Sequence, residues 1–112
     1  MKLITKEILG RLEKNPRDHS GNMPWLKLFN PAGAETWLIS EIEADGDTMF
    51  GLCDLGWGHP ELGSVSLNEL ESVTLPFGLT IERDMYFEPT KTLAEYASDA
   101  RKAGHIDTYG GA

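Results

Sequence analysis

Within nine residues, "CDLGWGHPE" (53–61), the chain gathers a thiol, an imidazole and two carboxylates: Cys53, His59, Asp54 and Glu61. These types could activate a nucleophile, hold a metal or move a proton. A cysteine nucleophile needs a base or a cation that favours its thiolate. Cys53 instead lies in the strand-like "FGLCDL" beside carboxylates, which raise a thiol's pKa, and a small buried apolar side chain is the simpler account. Zinc is not signalled, because neither C-x-x-C nor H-x-x-x-H spacing occurs. An oxygen-rich Mg²⁺ or Ca²⁺ site needs only acids that converge in space, so it stays open as an alternative. Gly56, Gly58 and Gly63 are spaced G-x-G-x-x-x-x-G, which is neither dinucleotide fingerprint nor Walker loop. Asp54 and Glu61 flank those glycines and would repel a phosphate. The glycines therefore read as turn formers, and His59 before Pro60 as a turn residue.

A second constellation is "IERD", where Arg83 sits between Glu82 and Asp84. The ordinary reading is a structural ion pair. A general acid or base at Asp84 or Glu82 would need a raised pKa. No catalytic residue, metal ligand or cofactor follows from these patterns.

Charge distribution carries more information. The chain has 112 residues and a net charge of −8, and from Leu28 to Glu82 it contains no Lys or Arg. The same span holds ten carboxylates, among them Glu41, Glu43, Asp45, Asp47, Asp54, Glu61, Glu69 and Glu71. Direct binding of nucleic acid through this segment is excluded by sign, since affinity for phosphates rests on cations. A protein partner with a basic surface would be steered towards it. Trp57, between two glycines, is the tryptophan expected to stand partly exposed as a contact residue, whereas Trp25 and Trp37 are assigned to the core.

The elements that must position these residues follow from local patterns. Thr5 can cap a helix whose Ile4, Ile8, Leu9 and Leu12 share one face, ended by Asn15-Pro16. "PWLKLF" (24–29), "ETWLISEIE" (35–43) and "TMFGLCDL" (48–55) read as strands of an antiparallel meander, joined at "NPAG" and "ADGD". In the first strand Leu26 and Leu28 face one way, with Trp25, Lys27 and Phe29 opposite. "LGSVSL" adds a further short strand. Ser66 with Glu69 and Thr92 with Glu95 spell capping boxes, predicting helices over about 67–73 and from Thr92 to about Ala103, with Gly104 as C-cap. "TLPFGLTIERDMYFEP" is expected to turn and then extend. The fold class is α+β, a small single domain (1–104) of about three to four strands with an N-terminal, a short middle and a C-terminal helix, followed by a loose tail, 105–112. A single cysteine and no signal-like or membrane-length apolar run predict a soluble, cytoplasmic protein.

The string "KLFNPAG…TWLISE…MFGLCDLG…ELGSVSLNELESV…GLTIERDMYFEP" (within Pro24 to Pro89) resembles the small bacterial, plasmid and phage proteins grouped as domain of unknown function 2958. Its markers here include Lys27, Phe29, Trp37, Glu41, Gly51, Gly56, Glu61, Gly63, Glu69, Arg83, Asp84 and Phe87. Members tend to carry an aromatic after the glycine of "ELG", where this chain has Ser64. The resemblance implies no activity. It implies a setting among mobile genetic elements, where small acidic proteins blunt host defences. The reading that combines setting and charge is a non-enzymatic protein-binding module, an inhibitor of anti-CRISPR or anti-restriction type that occupies a basic surface of a host complex. Its candidate contact residues are Glu41, Glu43, Asp45, Asp47, Asp54, Trp57, Glu61, Glu69 and Glu71. The alternative is a small enzyme or a ligand- or metal-binding domain using Glu61, Asp84 and His59.

Overall fold

The computed structural model describes residues 2–19 and 21–108. Its elements run α1 (Lys6–Lys14), β1 (Leu26–Phe29), β2 (Thr36–Ile42), β3 (Thr48–Asp54), β4 (Glu61–Ser66), α2 (Leu67–Glu71), a 3₁₀ turn (Pro76–Gly78), β5 (Glu82–Arg83) and α3 (Leu93–Ala103). The strands form one antiparallel sheet in the order β4-β3-β2-β1-β5. The fold class is α+β, as the local patterns predict. The meander is longer by β5, the "ER" of "IERD", which returns to pair with β1.

Local chemistry sets the boundaries. The Thr5 hydroxyl accepts the Ile8 N–H at the start of α1, and Asn15 takes an extended conformation before Pro16. In "NPAG" the Gly33 N–H reaches the Asn30 carbonyl, and in "ADGD" the Gly46 N–H reaches that of Glu43. Thr92 and Glu95 form a reciprocal capping box at α3, and Gly104 ends that helix in a left-handed conformation.

Period-two alternation gives the sheet two buried faces. Leu26, Leu28, Trp37, Ile39 and Met49 pack with Leu12 of α1, Leu70 of α2 and Ile81 on one face. Leu38 and Leu52 pack with Leu93, Tyr96, Ala97 and Ala100 of α3 on the other. Each fully buried Leu or Ile contributes about 1.5–3 kcal/mol by leaving water, so the two clusters hold the three layers together. Trp25 joins the Leu26 and Leu28 side instead of facing away, because β1 begins only at Leu26. There the Arg11 guanidinium lies 4.5 Å above its ring centroid.

Register shifts between Ile39 and Glu41, so Ser40 forms a bulge in β2. The Asn15 side-chain amide donates to the Ser40 carbonyl at 2.7 Å, tying the end of α1 to the irregularity. Opposite the bulge, a Cβ on Gly51 would stand 2.0 Å from the Leu38 carbonyl oxygen, so this position admits only glycine.

The stretch expected as a tail is tied down at its start. The Ile106 N–H donates to Asp54 and the Lys27 ammonium to the Thr108 hydroxyl. Residues 109–112 lie outside the described residues. No helix among the described residues is long and apolar enough to cross a membrane.

Candidate functional site

The nine candidate contact residues divide by what they touch. Glu41 is only 5% exposed and accepts the His19 N–H (2.7 Å) and the Asn22 side-chain amide (3.1 Å), with the His19 ring nitrogen 3.3 Å away. Asp54, 3% exposed, accepts the Gly56 and Ile106 N–H groups. Asp47 accepts the Ser66 hydroxyl and the Asn68 N–H, which anchors the start of α2. Glu71 accepts the Leu3 N–H. Asp45 closes its own turn by accepting from the Asp47 and Thr48 N–H groups and from the Thr48 hydroxyl, whose hydrogen bond holds its carboxyl below the usual carboxylate range. Five of the candidate acids therefore bind the chain's own donors. Glu43, Glu61 and Glu69 are exposed.

Position divides them again. Glu43, Asp45, Asp47 and Glu69 stand at the end of the sheet where β2 turns into β3 and β4 runs into α2. Asp54, Trp57 and Glu61 stand at the other end. Along β4 the two ends are separated by about 17 Å, five residues at ~3.3 Å each. Arg17 reaches the first group, 3.7 Å from Glu43. The acids are thus two groups at the ends of the β4 side, and not one continuous field.

Trp57 is 79% exposed. It is carried between Gly56 and Gly58, at φ 87° and 83°, which bend the loop in a way L-residues disfavour. Leu55 beside it is half-exposed. Cys53 is partly buried, and desolvation pushes its thiol up to about 11, so it is not a thiolate at neutral pH.

Glu61 and Asp84 belong to opposite edges of the sheet. Four strand spacings of ~4.8 Å put about 19 Å between β4 and β5. His59 lies in the loop that leads into β4. Among the described residues no three His, Cys, Asp or Glu side chains converge as metal ligands.

Two concavities open at the β5 edge, with volumes of about 810 and 650 Å³, sharing Lys27 and the segment Arg83–Tyr86 as a common wall. Lys27 and Asp84 form a nearly buried ion pair at 3.5 Å, and Met85 and Tyr86 project into solvent. The ion pair expected at "IERD" therefore uses Asp84 with Lys27, while Arg83 donates to the Leu3 carbonyl at 2.7 Å. Lys27 in an apolar strand was the signal in the sequence for this edge, and its partner lay too far along the chain to be read.

The profile of the family described as "Protein of unknown function (DUF2958)" matches residues 3–107. No curated protein and no solved structure matches the chain. The matched stretch contains every element of the sheet and all three helices, and the chain belongs to the DUF2958 family.

Proposed function

We propose that the chain is a non-enzymatic protein-binding module that acts in the cytoplasm through the β4 side of its sheet, against a partner with a basic surface. The observation that carries this reading is the strand order. It gathers β2, β3, β4 and α2, none of which contains a Lys or Arg, away from the β5 edge where Arg11, Lys27 and Arg83 sit, with Arg17 reaching Glu43 from the loop after α1. Exposed Glu43 and Glu69 at one end of β4, Glu61 at the other and Trp57 beside it offer negative charge around an aromatic anchor. The finer form of the proposal is that the partner belongs to a host system that targets nucleic acid, and that occupying its basic surface blocks it.

Capture from a host lysate on the immobilised protein, against the variant E43K/E61K/E69K, tests the reading. Nucleic-acid-binding proteins should be retained at low salt and lost both at raised salt and on the variant. Equal retention by both proteins would refute a charge-led interface. A second reading, ligand binding, is favoured by the 810 Å³ concavity over the Lys27–Asp84 pair. A metabolite that raises the melting temperature and shifts the Tyr86 resonances would support it.

A further inference from the structure

The outer edge of β4 is open, and we infer that it receives an extended, basic-flanked segment of the partner as a sixth strand. This inference rests on the protein-binding reading and names its mode. The inner edge of β4 is paired without a break to β3, Glu61↔Cys53 through Ser66↔Thr48. On the outer side the sheet ends. Among the described residues no loop backbone hydrogen-bonds to residues 61–65.

Antiparallel sheets protect such edges with short strands, prolines, lysines or bulges. The β5 edge shows the protection. It is two residues long, and its continuation folds away after the Asp84 N–H bonds the Lys27 carbonyl. β4 has six residues, "ELGSVS", without proline, lysine or a register break. Near its centre, Gly63 carries no side chain and has open space on the sheet face where a Cβ would stand, so no bulky group there leans over the edge.

Charge selects the occupant. Glu61 marks one end of β4, and Asp47 with Glu69 mark the other. A strand of about six residues with Lys or Arg at both termini would place cations at both ends. A second copy fits poorly, since two-fold antiparallel pairing would set Glu61 of each copy against the acidic Ser66–Glu69 end of the other. Backbone pairing supplies the attachment and the flanking charges the choice of partner, the division of labour usual in strand addition.

The probe is the blocked peptide Lys-Lys-Val-Thr-Val-Thr-Lys-Lys, added to ¹⁵N-labelled protein while amide exchange is followed. Two control peptides are used, one N-methylated at alternate central residues and one with Glu in place of Lys. The expected result is exchange slowed at least tenfold at alternate amides of residues 61–66. The N-methylated peptide should give no protection, and the Glu peptide should bind at least tenfold more weakly. Protection confined to the Arg83–Tyr86 edge, or none at millimolar peptide, overturns the inference. So does protection that rises with protein concentration alone, which would assign the edge to a second copy. If parent and N-methylated peptides bind equally and both are released by salt, strand addition fails while the charge-led reading stands.

Discussion

Glu41 and Glu43 lie two positions apart in the chain and serve different ends. Glu41 receives a backbone N–H and an amide in a buried site, so E41A should leave two donors unpaired and cost about 2–4 kcal/mol in urea unfolding. E43A, at an exposed position, should stay within about 0.5 kcal/mol. The sequence shows carboxylates at both places but not which donors reach them, because the Glu41 partners are 19 and 22 positions away. Asp54 was hidden for the same reason, one of its donors being 52 positions distant. Trp57 could be placed on the surface because its glycine neighbours are local. Cys53 yields a kinetic prediction. With the folded thiol raised to about 11, its thiolate fraction at pH 8 falls about a hundredfold below that of the unfolded chain, tenfold per pH unit. Disulfide-exchange labelling of native protein should be markedly slower than that of the unfolded chain, and urea should restore the rate. At Asp45 the depressed carboxyl contributes stability that is present above the ordinary carboxylate value and lost as pH falls through its own lower one. D45N should therefore flatten the acid limb of melting temperature against pH.

Helices were legible where their ends carry local chemistry. Thr5, Ser66, Thr92 and Gly104 all act at the termini their sequence positions announce. T92A should cost about 1 kcal/mol, measured as a shift in the urea midpoint, by removing the cap of α3. The meander was legible because each of its turns lies between neighbouring strands. β5 was not, since its two residues gain their strand character only from β1, more than fifty positions earlier. At the bulge, Gly51 lies inside the strand run "TMFGLCDL", where nothing local requires a glycine, and the structure assigns it a packing role. G51A forces a methyl group against the Leu38 carbonyl. It should lower the melting temperature well beyond what G58A does, although the loop glycine has the less ordinary φ.

At the scale of the molecule, the sheet order turns a gap in the sequence into a difference between two edges. The β4 side is built from the basic-free segment, and the β5 side holds Lys27 and Arg83. Composition announced the asymmetry and the topology locates it. It also divides the candidate acids, with Glu43, Asp45, Asp47 and Glu69 at one end of β4 and Asp54 and Glu61 at the other.

That same strand order has a kinetic corollary. β1, β2 and β3 each pair with the next strand in the chain, so the first four strands can zip in order at low entropic expense, while β5 must close a loop across the whole meander. R83A, which removes the guanidinium hydrogen bond tying β5 to the Leu3 carbonyl, should leave the refolding limb of a chevron unchanged and raise the unfolding rate. The strand that arrives last is the first to let go, and the walls of both concavities would breathe with it.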